Sequence, residues 1–82
     1  MSNKIDTLKR AFEDGLGIAA DADIENLKYR GIPQWDSIGH LQLVMEIENS
    51  FDVMLPTEDV IDLSSFAKAK EILQKHGVEL AS

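Results

Sequence analysis

Apolar residues recur three or four positions apart along much of this chain, a spacing that predicts helices. Ile5, Leu8, Phe12 and Leu16 share one face of a first helix over about residues 4–16. Gly15 and Gly17 are placed to end it, since glycine adopts the left-handed conformation beyond a helix at little cost. A long connection then runs from Ile18 to Trp35, with Ile24, Leu27, Tyr29 and Ile32 as intermittent anchors. Within it Pro33 lacks a backbone donor and biases Ile32 towards extended geometry. So long a loop in a compact domain is unusual and tends to be functional.

Asp36 is a good N-cap for a second helix over about residues 36–50. Pro56 closes an extended piece, and Thr57-Glu58-Asp59 reads as the cap and acidic first turn of a short third helix, about 57–61. Ser64 is placed to cap a last helix over about residues 64–76, with Phe66, Ala69, Ile72 and Leu73 facing inward and Gly77 as its stop. The expected architecture is all-α: a four-helix bundle with a long first loop and a short third helix. A single domain spans 1–82, without repeats or low-complexity segments.

The second helix has more apolar surface than its own core requires. Leu43, Ile47 and Phe51 form one stripe; Ile38, Leu41 and Met45 form another, with Val44 between them. Together they cover an arc of roughly 220°, twice what a core-facing stripe needs. The first stripe is assigned to the core. The second is left to a cargo pocket, to partner proteins or to both, against the plainer alternative of a helix surrounded by its neighbours.

Composition narrows the function classes. Eighty-two residues allow one core of modest stability. The net charge of −7 sits in the middle of the chain. From Gly31 to Ala67 there are Asp36, Glu46, Glu48, Asp52, Glu58, Asp59 and Asp62, and no Lys or Arg. Such a field disfavours nucleic acid and anionic membranes and attracts basic protein surfaces; its plain alternative is a solvated face that aids solubility. No apolar run approaches a membrane span, and the start of the chain lacks a signal-peptide core, so a cytoplasmic monomer without membrane insertion is expected. With no cysteine there is no disulfide, and any thiol chemistry has to come from an attached group.

Ser37 falls at the start of the second helix, where a serine is commonly no more than a structural residue of the helix N-terminus. At the first turn of a helix its hydroxyl is accessible, and an anion attached there is stabilised by about 0.3–1 kcal/mol. Asp36, Ser37 and His40 contain the residue types of a catalytic triad, but one helical turn supplies neither a substrate pocket nor an oxyanion hole. The stretch from Asp21 begins like a calcium loop but has Asn26 and Ile32 where the turn glycine and bidentate glutamate belong. His40 and His76 are too few for zinc, and His40 is expected at a surface or edge. Trp35 is read as a hydrophobe capping the helix entrance, with a partner contact as the alternative.

The run Trp35-Asp36-Ser37-Ile38, continued by Leu41 to Met45, Ile47-Glu48, Phe51 and Leu55-Pro56, resembles the attachment region of acyl carrier proteins. The resemblance implies their four-helix fold and a 4'-phosphopantetheine arm on Ser37, with Asp36 as the cap beside it. It implies a carrier without a catalytic site, holding an acyl or aminoacyl group as a thioester. The implied partners are a phosphopantetheinyl transferase, an acyl- or aminoacyl-loading ligase and downstream acyl-processing enzymes of fatty acid, polyketide, peptide or polysaccharide-related biosynthesis. Their docking face is assigned to Ile38, Leu41, Met45, Glu46 and Glu48. Fatty-acid-synthesis members usually have acidic residues two and five positions after the serine, where this chain has Gly39 and Gln42. The Trp-Asp-Ser form with His40-Leu41 looks more like stand-alone carriers for specialised groups. The rival reading is an unmodified helical adaptor that binds basic protein surfaces through its acidic second helix.

Overall fold

A computed structural model of the chain describes residues 4–19, 23–78 and 80. Asp21 and Ala22, in the stretch that begins like a calcium loop, lie outside the described residues. Four α-helices follow the apolar periodicity: α1 (Lys4–Leu16), α2 (Ser37–Phe51), α3 (Thr57–Asp62) and α4 (Phe66–Lys75), with a short 3-10 turn, Ile24–Asn26, in the long connection. The core joins Leu8, Phe12 and Leu16 of α1 to Leu43 and Ile47 of α2 and to Phe66, Ile72 and Leu73 of α4. Phe12 is its hub: its ring meets Trp35 edge-on at 5.5 Å and Phe66 at 5.2 Å. Fully burying one such side chain stabilises by about 1.5–3 kcal/mol.

α1 and α2 cross at very short range. A Cβ added to Gly15 would stand 2.6 Å from the Leu43 Cα, so any side chain there would hold the helices apart. Gly15 is thus a helical contact residue and not a terminator, which corrects the sequence expectation. Gly17, with φ +66°, does the terminating.

The long connection is pinned along much of its length. Tyr29 N donates to Ser64 O at 2.8 Å, and Lys28 forms an isolated antiparallel bridge with Ser65. Ile24 and Trp35 are buried in the core. For Trp35 this excludes the alternative of a partner contact, because its ring is enclosed between Phe12, Tyr29 and His40.

Two caps differ from expectation. Ser65, not Ser64, caps α4, accepting from Lys68 N at 3.1 Å, while Ser64 gives its carbonyl to Tyr29. The cap position of α3 is Pro56, with no side-chain bond, and Asp59 is not a solvated first-turn acid. Its carboxylate is buried, ion-paired with Lys75 through one oxygen and accepting from His76 Nε2 at 2.7 Å through the other. That cluster fastens the six-residue α3 to the end of α4. The Lys75 ammonium, then the His76 ring, holds the Asp59 carboxyl below the usual carboxylate range, and Asp59 in turn raises Lys75.

Candidate functional site

Ser37 opens α2 at the rim of the molecule, with its side chain exposed. Asp36 caps the helix from extended backbone, its Oδ1 accepting from Gly39 N at 2.8 Å. The loop lies against this first turn so closely that a Cβ on Gly39 would stand 2.0 Å from the Gln34 carbonyl oxygen. Across the serine, the Tyr29 hydroxyl comes within 3.5 Å of Ser37 Oγ. The Ser37 hydroxyl, then the neighbouring Arg30 guanidinium, lowers the Tyr29 phenol from its ordinary value.

One turn further on, His40 is half-buried and fully engaged. The Trp35 indole N–H, which can only donate, bonds His40 Nδ1 at 3.0 Å, so that nitrogen is bare. The proton of the neutral ring therefore sits on Nε2, which donates to Val60 O at 2.7 Å. The imidazole also stacks on the indole, at 18° between planes. His40 is thus no ordinary edge histidine: it ties the serine helix to α3 and to the buried tryptophan. Both ring nitrogens are committed away from Ser37, which removes the triad reading on geometric grounds.

The two apolar stripes of α2 separate as their spacing predicts. Leu43, Val44 and Ile47 are buried, whereas Ile38, Leu41 and Met45 are 68%, 60% and 59% exposed. The alternative of a helix surrounded by neighbours does not hold. Phe51, assigned to the core from its spacing, is only half-buried and packs against the edge of the core cluster. Ile61 of α3 and Met54 add to the exposed apolar surface. Next to Ser37, a groove of about 260 Å³ is lined by Tyr29, His40, Val60, Ile61 and Leu63.

The acids divide by role. Glu46 is half-buried, and Glu48 turns its carboxylate back to accept from Leu55 N at 2.8 Å, bracing the loop after α2. With Asp59 paired to Lys75, the acidic segment has a cation that its sequence does not contain. Sequence reasoning passed over Tyr29 and Arg30 as site residues, and read His40 and Asp59 by type alone. Only the positive φ of Arg30, 64°, sets its position apart, and no single-residue propensity predicts that for arginine. Among the described residues no group of three or more His, Cys, Asp or Glu is arranged to hold a metal. Among the described residues no helix is long and apolar enough to cross a membrane.

Comparison with curated proteins finds similarity to acyl carrier proteins. The acyl carrier protein of Zymomonas mobilis is 26% identical over 76 residues, covering 93% of this chain and 97% of the relative. That of Chlorobium phaeobacteroides is 40% identical over 40 residues, a stretch spanning 49% of this chain and 51% of the relative. No family model matches the chain, and no solved structure matches it.

Proposed function

We propose that this chain, which is similar to acyl carrier proteins, is itself a carrier, modified on Ser37 by a phosphopantetheinyl transferase. The observation that carries the reading is the exposed Ser37 hydroxyl at the start of a helix whose apolar stripe continues outward through Ile38, Leu41 and Met45. A 4'-phosphopantetheine arm there supplies a terminal thiol that holds an acyl or aminoacyl group as a thioester, which a chain without cysteine cannot do alone. The residues present fit such a group. Ser37 offers an accessible oxygen, and the adjacent Asp36 carboxylate is turned onto Gly39 N. The free first-turn amides of α2 favour negative charge at this end.

The chain's own residues then orient and present. Asp36 fixes where α2 begins, and with it the direction of Ser37. His40 holds α3 beside that turn through Val60, so the groove and Ile61 stay next to the serine. Ile38, Leu41, Met45 and Glu46 form the face offered to the transferase, to a loading ligase and to downstream acyl-processing enzymes. Glu48 contributes through its brace on Leu55. Gly39 supports a specialised pathway over general fatty acid synthesis: the residue at that position has no room for a side chain, so the usual acid is sterically barred.

The test is the intact mass of the chain coexpressed with a broad-specificity transferase. A gain of one phosphopantetheinyl group is expected. An unchanged mass would favour the unmodified adaptor, which binds basic surfaces through α2.

A further inference from the structure

Arg30 is the one Lys or Arg between Tyr29 and Ala67, in the most acidic part of the chain. Among the described residues no carboxylate forms an ion pair with it. Asp36, the carboxylate nearest in sequence, is engaged on Gly39 N. Arg30 nevertheless stands in a firmly held corner. Its backbone is left-handed, and the turn is tied by Arg30 N to Trp35 O at 3.0 Å, Gly31 N to Lys28 O at 2.8 Å and Tyr29 N to Ser64 O at 2.8 Å. A non-glycine residue keeps this conformation only where its surroundings enforce it.

The corner brings two donors side by side, the guanidinium of Arg30 and the hydroxyl of Tyr29. The Arg30 guanidinium lies 5.5 Å from the centre of the Tyr29 ring, and the Tyr29 hydroxyl stands 3.5 Å from Ser37 Oγ. That separation is loose for two hydroxyls, whose bonds are ordinarily about 2.7–2.8 Å. The serine alone therefore leaves the phenol's donor weakly used, and the guanidinium, engaged with the Tyr29 hydroxyl, has no carboxylate ion pair among the described residues. A phosphate oxygen suits both, since a guanidinium presents a planar fork to phosphate and bonds to an anion are the stronger kind. A groove of about 470 Å³, lined in part by Arg30, Pro33 and Asp36, opens alongside.

We propose that the Tyr29 hydroxyl and the Arg30 guanidinium are the chain's own receptor for the phosphodiester oxygens of the group borne on Ser37. The proposal rests on the carrier reading above. Tyr29 and Arg30 are positioning residues: they fix the direction in which the arm leaves the protein and offset the Asp36 charge beside it.

Two measurements on the loaded chain test this, after intact mass has established the loading. In phosphorus NMR the single phosphodiester resonance of the loaded parent is compared with those of Tyr29→Phe, Arg30→Gln and Arg30→Lys, each checked for helical circular dichroism. Tyr29→Phe and Arg30→Gln are expected to shift the resonance, and Arg30→Lys to restore part of the shift. The second measurement needs no variant. The chain has one tyrosine, so ultraviolet titration reads Tyr29 alone. Loading places an anion beside the phenol, and its ionisation is expected to move to higher pH. A mass gain with an unmoved tyrosine titration, or with one phosphorus resonance common to all four proteins, overturns the receptor and leaves the carrier reading standing. No mass gain in the parent overturns both.

Discussion

Replacing Gly39 with alanine adds one methyl group at the tightest point of the site. The new Cβ would stand 2.0 Å from the Gln34 carbonyl oxygen, against a practical minimum of 3.0 Å, so one of them has to retreat by about 1 Å. Neither is a flexible side-chain end: one is a helical backbone position, the other a loop carbonyl. Forced overpacking of this kind costs about 1–3 kcal/mol. If the loop yields, the Asp36 cap on Gly39 N is disturbed as well, for about 1 kcal/mol more. Helix propensity works the other way, favouring alanine over glycine by up to about 1 kcal/mol. The clash wins, and a net destabilisation of about 1–3 kcal/mol is expected. Thermal unfolding followed by circular dichroism and by Trp35 fluorescence reads it directly, since a domain of this size loses about 4–8 °C per kcal/mol. Loading by the transferase should fall in parallel as the loop leaves the serine. A Gly39→Ala protein as stable as the parent, or more so, would refute the close approach and the steric account of the missing acid.

Leu43→Ala should cost about 2–5 kcal/mol in urea melts and Leu41→Ala about 1 kcal/mol or less, because only the first is enclosed. Equal losses would put the outer stripe in the core. The Asp59 carboxyl is lowered by Lys75 and then His76, so its stabilisation is present above the unfolded carboxylate value and is lost as pH falls through the folded one. Below about pH 4 the parent should therefore lose melting temperature faster than Asp59→Asn; parallel curves would contradict this. Reversing Glu46 to Lys should slow modification by the transferase and weaken its dependence on ionic strength while leaving the protein helical, since steering acts mainly on association. Unchanged kinetics at low salt would assign that acid to solubility.

Local patterns carried much of this fold. The periodicity of Ile5, Leu8, Phe12 and Leu16, and the separation of Leu43 from Leu41, follow from one side chain per 100° of helix. What the sequence left open depends on contacts distant along the chain. Gly15 looks like a helix stop until Leu43 is seen against it, and Gly39 looks like a departure until the Gln34 carbonyl is placed. Asp59 reads as one more acid in a run, because Lys75 lies 16 positions away. His40 reads as an edge residue because its partners, Trp35 and Val60, lie on a loop and on another helix. The exposed place of Ser37 at the start of α2 was legible from the sequence, whereas the Tyr29-Arg30 corner needed the pinned loop.

The central claim is that Ser37 is the one residue that receives the arm, and peptide-resolved mass spectrometry of the coexpressed chain and its Ser37→Ala variant tests it most directly. The account predicts one phosphopantetheinyl group on the peptide containing Ser37 in the parent. It predicts none anywhere in Ser37→Ala, which should keep the parent's circular dichroism because the replaced side chain is exposed. A modified Ser37→Ala protein, or a parent modified on another serine, would contradict it.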